Sequence, residues 1–407
     1  MAVAPPLRLL LGAFGDPGHA FPMLALGRRL AERGHAVTLQ TWTKWQPHVE
    51  AAGMTFAAAP EYHVFPTRDR PLKPYQAAVR AARETRPLVS ELRPHAVVSD
   101  ILTTAPALAG ELEGVGVATL VPHVYPHGAP GHPPYSFGAR LPRTEIGRRL
   151  WRALDPYIEG GLRRGRAELN EARRRLGLPP LDYLHGGISR ELCLVATFPQ
   201  LEYPRSWPSS VHVVGPLLWE PPSDGVQPPP GDSPVVLVAP STSQDPRHRL
   251  VIATLEGLAD RPLRVIASWN RRPPPRPLPE PDNARVAEWL SYARTMPRCD
   301  VVVCHGGHGT VARALASGCA VVVCPAAGDM AENAARVDWA GVGVRLPDRL
   351  LGARTIRLAV DRALADGAIG ERARELARWT AAHDPATRAS ELVEAFATAS
   401  VAGSAVG

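Results

Sequence analysis

Short apolar runs alternate with helical patterns in both halves of this chain, and that alternation restricts the possible folds strongly. In the first half the runs LRLLLGA, HAVTLQT, HAVVSD and GVATLVP have the length and composition of buried strands. Between the first two runs, AFPMLALGRRLAERG has the apolar spacing of a helix that ends at Gly34. Strand, helix and strand at this spacing predict parallel βαβ units, and therefore an α/β fold.

The same pattern begins again after a linker. The segment EPPSDGVQPPPGDSP is rich in proline, glycine and serine, and PVVLVAPS, LRVIAS, ARVAEW, CDVVVCH and CAVVVCP follow it. A chain of 407 residues is also too long for one ordinary core. We therefore predict two doubly wound sheets, with a first domain over residues 1–217, a linker over 218–233, a second domain over 234–380, and a helical segment over 381–407 that can pack back on the first domain.

Composition excludes several classes of function. The net charge is +7, but the basic residues are scattered, so we predict no nucleic-acid partner. No apolar stretch reaches the roughly 20 residues that cross a bilayer. Lys44 and Lys73 are the only lysines, which excludes a GxxxxGK[ST] phosphate loop and a pyridoxal-binding lysine in the second half. Five cysteines without a secretion signal predict reduced, buried thiols in a cytoplasmic protein.

A glycine-rich turn follows one apolar run, in VVVCHGGHGTVARALASG over residues 301–318. In open α/β sheets, ligands bind outside the carboxyl ends of the strands, where a helix N-terminus offers unpaired N–H groups and a positive dipole. Gly306, Gly307 and Gly309 allow the backbone to approach a ligand, and His305 and Thr310 add donors. The segment therefore predicts a phosphate site.

Two other interpretations fit the same turn. GHGTVA, from Gly307 to Ala312, matches the dinucleotide fingerprint G-x-G-x-x-[GA], and Asp329 follows near the distance of a ribose-binding acid. A dehydrogenase normally carries that fingerprint in its first βαβ unit, where this chain has GAFGDPGHAFP. A tight turn that binds no ligand is the third interpretation.

Three motifs together resemble one known family. They are GDPGHAFPMLALGRRLAERGH near the start, VAEWLSYARTMPRCDVVVCHGGHGT in the second half, and SGCAVVVCPAAGDMAENAARVDWAGVGVRL after it. In this order and spacing they resemble the inverting glycosyltransferases of the UDP-glycosyltransferase superfamily, in particular the bacterial, macrolide-type enzymes that glycosylate natural products. The resemblance implies the GT-B fold, in which two Rossmann-like domains face each other across a cleft.

The resemblance assigns roles to residues of both halves. His19 falls where the family has its catalytic base, and Asp100 matches the carboxylate that orients this base, although a histidine in a turn is often a structural donor and Asp100 is equally suited to a helix N-cap. Trp289 matches the aromatic residue that stacks on the nucleotide base, although a tryptophan buried in the core would give the same sequence pattern. The implied donor-binding residues are Ser241, Thr242, Trp289, His305, Gly307, Gly309, Thr310, Asp329 and Met330.

Two positions depart from the family pattern. Arg313 stands where many relatives have a glutamate that binds the ribose hydroxyls, and Met330 stands where a glutamine usually follows the sugar-binding aspartate. Arginine cannot accept a hydrogen bond, and a methionine sulfur is a weak acceptor. Both UDP-sugars and TDP-sugars are therefore candidate donors.

We expect no metal cofactor. Cys299, Cys304, His305 and His308 do not have the spacing of a compact zinc site, and the chain has no D-x-D pair that would hold a divalent metal on a nucleotide sugar. The charge of the leaving diphosphate is expected to be met by a helix dipole, by hydroxyl groups and by His305.

The predicted function is inverting, metal-independent transfer of a sugar from a nucleotide diphosphate to a hydroxyl of a hydrophobic small molecule or natural product. The predicted partners are therefore the nucleotide sugar and this acceptor, and the protein is expected to be a monomer or a homodimer. Irregular stretches near residues 60–95 and 123–190 are either walls of the acceptor pocket or variable loops. A sugar-nucleotide epimerase on the same fold, and a non-catalytic auxiliary protein, are the alternatives.

Overall fold

The computed structural model describes residues 6–60, 73–183, 187–241, 244–326 and 328–404. Its strands form two sheets in which all pairs are parallel. The strands are β1 (Arg8–Gly12), β2 (Ala36–Thr41), β3 (Thr55–Ala58), β4 (Ala96–Asp100), β5 (Val117–Val121), β6 (Cys193–Val195), β7 (Val211–Val213), β8 (Val235–Ala239), β9 (Arg264–Ser268), β10 (Ala284–Ala287), β11 (Val301–Cys304), β12 (Ala320–Val323) and β13 (Gly343–Arg345).

The helices cover both faces of these sheets. They are α1 (Pro17–Glu32), α2 (Gln46–Ala51), α3 (Pro74–Leu92), α4 (Thr104–Leu112), α5 (Glu145–Arg152), α6 (Asp155–Leu176), α7 (Arg249–Leu258), α8 (Tyr292–Thr295), α9 (His308–Ala316), α10 (Asp329–Ala340), α11 (Ala353–Ala365), α12 (Gly367–Ala382) and α13 (Pro385–Ser404). Among the helices so described, none is long and apolar enough to cross a membrane.

The first sheet has seven strands in the order β3-β2-β1-β4-β5-β6-β7. Strand β1 shows why its central strands are rich in apolar residues: Leu9 and Leu11 pack in one core with Met23 of α1, while Leu10 packs on the opposite face with Val89 of α3. Side chains of a strand alternate between faces, and helices cover both faces here, so the four residues of β1 after the exposed Arg8 are all buried.

The second sheet has six strands in the order β10-β9-β8-β11-β12-β13. This is the Rossmann strand order, and the order reverses beside β8 as it does beside β1 in the first sheet. Ligands of such sheets bind outside the carboxyl ends of the strands at this reversal. The edges that matter for function are therefore the ends of β1 and β4 in one sheet and of β8 and β11 in the other.

The last helix, α13, packs on the first domain. Its apolar face places Val393 and Ala397 in the same core as Leu24 of α1. Ion pairs join the same two helices at the surface, because Arg33 and His35 both contact the Glu394 carboxylate. The chain thus crosses back from the second sheet to the first at its C-terminal end.

The sequence-based prediction found nine of the described strands and missed four. The apolar runs named above correspond to β1, β2, β4, β5, β8, β9, β10, β11 and β12, whereas β3, β6, β7 and β13 have three or four residues each and carry little pattern. The helix after β1 begins at Pro17, earlier than the apolar spacing indicates. All five cysteines are buried and free, as predicted, and the segment 61–72 of the first irregular stretch lies outside the described residues.

Candidate active site

His19 and Asp100 meet at the carboxyl end of the first sheet. His19 lies in the first turn of α1, directly after β1, and Asp100 is the last residue of β4. Strands β1 and β4 are parallel neighbours, so their carboxyl ends reach the same edge. The His19 Nδ1 atom is 2.8 Å from Asp100 Oδ1, and the Phe14 N–H donates to Asp100 Oδ2 at 3.1 Å.

Asp100 is not a helix N-cap. The residue that precedes α4 is Thr103, and the Asp100 carboxylate accepts from Phe14, from His19 and from the Leu102 N–H. Its side chain is 1% exposed. The competing structural role for Asp100 is therefore wrong, and its oxygens are directed at the histidine and the surrounding backbone.

The protonation of His19 follows from its partner. Burial alone lowers the pKa of this imidazole, but the charge of Asp100 and their hydrogen bond outweigh burial, so the pKa is raised above 6.5. A carboxylate can only accept, so Nδ1 carries the proton and donates it, which leaves a lone pair on Nε2. With 16% of its side chain exposed, His19 can take a proton from a bound molecule.

The glycine-rich turn after β11 holds His305 in place. The His305 Nδ1 atom is 3.2 Å from the Ala239 carbonyl oxygen at the end of β8, and burial lowers the pKa of this imidazole. Gly306 has φ +88°, and a Cβ at that position would lie 2.9 Å from Val323 Cγ1. A Cβ on Gly307 would lie 2.5 Å from His305 Nε2. Both glycines are thus required by the local packing, independently of any ligand.

Helix α9 begins directly after this turn and presents its N-terminus at the same edge. Gly307 occupies the N-cap position, and the half-buried Thr310 lies in the first turn. A Cβ built on the exposed Gly309 would meet no other described atom within 4 Å, so there is open space above this turn. Ser241 is buried just beyond β8, where its Oγ accepts from the Gln244 N–H at 3.0 Å, and Thr242 lies outside the described residues.

Asp329 connects the two halves of the site. It is the first residue of α10, and its charge influences His19 and His123 of the first domain as well as His305 of the second. Met330 follows it, with its carbonyl oxygen 3.0 Å from where a Gly306 Cβ would lie. The structure therefore brings the predicted base and the predicted sugar-binding carboxylate together from separate domains.

Trp289 and Arg313 lie further from this centre. Trp289 is half-buried, and the Arg271 guanidinium is 5.0 Å from the centroid of its ring, so the ring is not enclosed in the core. Arg313, in the second turn of α9, has its pKa lowered by burial, while the carboxylate of Glu220 opposes that shift. Neither arrangement was readable from the sequence pattern.

The four residues considered for zinc have other partners. His308 bonds through its ring to the Asn333 side chain and to the Ala196 carbonyl, and the Cys299 thiol donates to a backbone carbonyl. Burial lowers the pKa of His308 to about 4. Within the described parts of the chain, no group of three or more His, Cys, Asp or Glu side chains is arranged to hold a metal ion.

Sequence reasoning missed one group of site residues. His123 and Tyr135 stack beside His19, and the buried Arg336 of α10 bonds to Glu202 of the first domain and to Glu332. These residues lie in irregular segments or on a helix whose partner is distant in sequence. The signal for His123 and Tyr135 was the mixture of aromatic and charged residues within the stretch 123–190, and Glu332 and Arg336 lie within the third motif.

The comparisons with known proteins agree with this geometry. The family model described as "Erythromycin biosynthesis protein CIII-like, C-terminal domain" matches residues 254–395. The chain is 30% identical to the O-mycaminosyltylonolide 6-deoxyallosyltransferase of Streptomyces fradiae over 96% of this chain and 98% of that protein. It is 28% identical to the 4'-demethylrebeccamycin synthase of Lentzea aerocolonigenes over 95% and 99%, respectively.

A solved structure shows the same architecture. The calicheamicin glycosyltransferase CalG4 superposes with a TM-score of 0.72 at 25% identity, over 96% of this chain and 98% of that chain. The fold class and the family predicted from the motifs are thereby confirmed. The chain belongs to the natural-product glycosyltransferases of the UDP-glycosyltransferase superfamily, nucleotide-sugar-dependent enzymes with the GT-B fold.

Proposed function

We propose that the protein transfers a sugar with inversion from a nucleotide diphosphate to a hydroxyl of a hydrophobic natural product, with His19 as the general base. One observation carries this proposal. The His19 imidazole is hydrogen-bonded to the buried Asp100 carboxylate at 2.8 Å and lies within electrostatic reach of Asp329, at the start of α10. This pairing of a base with a nearby carboxylate that could bind sugar hydroxyls supports the proposal.

In the proposed reaction the Nε2 atom of His19 accepts the proton of the acceptor hydroxyl. The acceptor oxygen forms a bond to the anomeric carbon while the bond between that carbon and the phosphate oxygen breaks, and the nucleotide diphosphate leaves with the electron pair. Attack opposite to the leaving group inverts the anomeric centre. Asp100 keeps the imidazole oriented and stabilises the imidazolium that forms, which is the role of a carboxylate in a catalytic dyad.

The leaving diphosphate is assigned to the N-terminus of α9. Its unpaired N–H groups and dipole favour negative charge, and Thr310 and the Ser241–Thr242 loop would add hydrogen bonds. The neutral His305 ring, whose Nδ1 faces the Ala239 carbonyl, would line the diphosphate site without donating to it. Asp329 is assigned to hydroxyls of the transferred sugar, and Trp289 to the nucleotide base. We propose that no metal ion takes part; loss of activity with a chelator and recovery with magnesium would contradict this.

The acceptor is assigned to the first domain, over residues 1–217, and the donor to the second, over residues 234–380. The ring of Phe14 lies edge-on to His19, with centroids 6.1 Å apart, and to Trp42, with centroids 5.1 Å apart. Trp42 is 38% exposed, so it offers an apolar surface next to the base. Rebeccamycin and tylonolide, which appear in the names of the two relatives, make a natural-product acceptor the first class to test.

The test is a matrix of UDP-sugars and TDP-sugars against a panel of phenols and macrolides, read by mass spectrometry, for the wild type and two variants. We expect His19→Ala to lower turnover by about 10²- to 10⁴-fold with little change in nucleotide affinity, because a positioned general base is lost. His383→Ala is the matched control, because His383 is exposed and stacks on Trp379, away from the site.

Three outcomes would contradict the proposal. Equal turnover of His19→Ala and the wild type would assign the base to another residue. Conversion of a nucleotide sugar into its epimer without any acceptor would indicate an epimerase on the same fold. Products with retained anomeric configuration would exclude the direct displacement.

A further inference from the structure

A histidine that was not predicted from the sequence lies beside the proposed base. His123 follows β5, the neighbour of β4 in the first sheet, so it reaches the same sheet edge as Asp100. Its ring is edge-on to His19, with centroids 6.2 Å apart and planes at 83°. It is stacked on Tyr135, with centroids 5.9 Å apart and planes at 25°.

The segment 123–138, here called the strap, is fastened to the second domain. The Arg345 guanidinium donates to the Gly138 carbonyl, and the Ser136 backbone lies near enough to the Glu332 carboxylate of α10 to favour its charged form. Gly138 has φ +63°, and a Cβ there would lie 2.9 Å from the carbonyl oxygen of Ala331. The strap thus contacts α10 just after Asp329, and the charge of that carboxylate influences His123.

The free nitrogen of His123 is an acceptor. Its Nδ1 atom is 2.8 Å from the Val124 carbonyl oxygen, and because a carbonyl only accepts, Nδ1 carries the proton. Burial lowers the pKa of this imidazole, and the positive charge of a protonated His19 lowers it further, so the ring is neutral near pH 7. No hydrogen bond from any described residue reaches Nε2, whose lone pair is left for a ligand.

The chemistry of this lone pair restricts the ligand. His123 lies within electrostatic reach of His19 on one side and of Asp329 on the other. A nucleotide phosphate has oxygens that accept at neutral pH, so it cannot bond to an unprotonated nitrogen next to a carboxylate. A hydroxyl can donate to either group. Both the transferred sugar and the acceptor carry hydroxyls, but the strap is attached to α10, the helix that begins with Asp329.

We propose that His123 determines sugar specificity by accepting, at Nε2, a hydrogen bond from a hydroxyl of the transferred sugar. This inference rests on the proposed function, since it requires a nucleotide sugar between His19 and Asp329. Tyr135 supports the imidazole from one face, and the Val124 carbonyl sets its tautomer.

The test measures donor binding by calorimetry and needs no acceptor. The probes are whichever of UDP-glucose and TDP-glucose the wild type binds more tightly, its monodeoxy analogues, and the free nucleotide diphosphate. His123→Phe keeps an aromatic ring against Tyr135 and removes the nitrogen. We expect it to weaken binding of the complete nucleotide sugar by about 10-fold and to leave the affinity for the free nucleotide diphosphate unchanged. In the wild type, one of the deoxy analogues should bind more weakly than the complete nucleotide sugar, and His123→Phe should abolish this difference.

Two further variants control for distortion of the strap. His132→Phe changes a strap residue whose ring contacts Tyr203 instead of His19, and it should keep the wild-type ranking of deoxy sugars. His123→Gln keeps a hydrogen-bond acceptor and should recover part of the penalty. If His123→Phe and the wild type rank all deoxy donors alike, the inference is wrong.

A second experiment with acceptors distinguishes whether the hydroxyl that bonds to His123 belongs to the transferred sugar or to the acceptor. With a productive pair from the matrix experiment, His123→Phe should change relative kcat/KM among deoxy donors and not among acceptors that lack single hydroxyls. The reverse result would assign His123 to the acceptor and overturn the proposal. Failure of the wild type to transfer any sugar would contradict the proposed function itself, and it would be seen before any His123 variant is compared.

Discussion

The hydrogen bond between His19 and Asp100 sets the pH range in which the proposed base is active. The base must be neutral to accept a proton, so kcat/KM should rise with pH through the His19 pKa. Burial lowers that pKa, but Asp100 raises it more, so the midpoint should lie above 6.5. His123 and His305 have lowered pKa values and stay neutral over this range.

Replacing Asp100 by asparagine tests this assignment. Asp100→Asn removes the charge that favours the imidazolium, so the midpoint of the pH profile should move to lower pH. The maximal rate should fall by about 10²- to 10⁴-fold, because the tautomer and the orientation of the ring are lost. Asp16→Asn is the control: Asp16 also raises the His19 pKa, but by charge alone, so a smaller shift and a nearly unchanged rate are expected. A midpoint that moves upward in Asp100→Asn would refute the dyad.

At the scale of elements, we expect residues near the N-terminal ends of α9 and α10 to influence which donor fits. Arg313 on α9 cannot accept from ribose hydroxyls, and its charge is near Glu220. Met330 on α10 offers methylene groups and a weak sulfur acceptor, which suits the less hydroxylated sugars. Thymidine nucleotides lack the ribose 2′-hydroxyl, so this chain gives no reason to prefer uridine over thymidine.

Competition between UDP-glucose and TDP-glucose measures this selectivity. We expect the wild type to use TDP-glucose at least as well as UDP-glucose. Met330→Gln should shift the preference toward glucose over its deoxy analogues by about 2- to 12-fold, which corresponds to the free energy of one hydrogen bond. Met330→Leu keeps the apolar surface and should keep the wild-type ranking. A wild-type preference for UDP-glucose above about 10-fold would contradict the prediction.

At the scale of the whole molecule, a buried ion network joins the two domains. The Arg336 guanidinium is 3.0 Å from Glu202 Oε2 of the first domain and 2.8 Å from Glu332 Oε1 on its own helix. All three side chains are at most 7% exposed, and the guanidinium lies 3.6 Å from the centroid of the Tyr203 ring. Burial raises the pKa of both glutamates, so each depends on Arg336 to remain charged.

Removing this cation should destabilise the protein as a whole. We expect Arg336→Met to lower the free energy of unfolding by about 3–5 kcal/mol, because two carboxylates would stay buried without their partner. Arg294→Met is the control, since Arg294 and Asp224 form an ion pair that is 67% and 100% exposed, and its loss should cost under about 1 kcal/mol. Calorimetric unfolding of the two variants measures both changes. Equal losses of unfolding free energy in Arg336→Met and Arg294→Met would mean that the network does not couple the domains.

Local pattern was sufficient to predict the two sheets, because strands buried on both faces are rich in apolar residues. The pairing of His19 with Asp100 was implied by the family resemblance and not by local pattern. Local pattern also predicted His305 at the start of the helix that follows β11, and the parallel neighbours β1 and β4 bring His19 and Asp100 to one edge. Short strands such as β3 carry too few residues to show a period. The strap, its histidine and the Arg336 network depend on contacts between residues more than a hundred positions apart. Such contacts leave no periodic trace in the sequence, because they are set by how the two domains pack, and only the tertiary structure decided them.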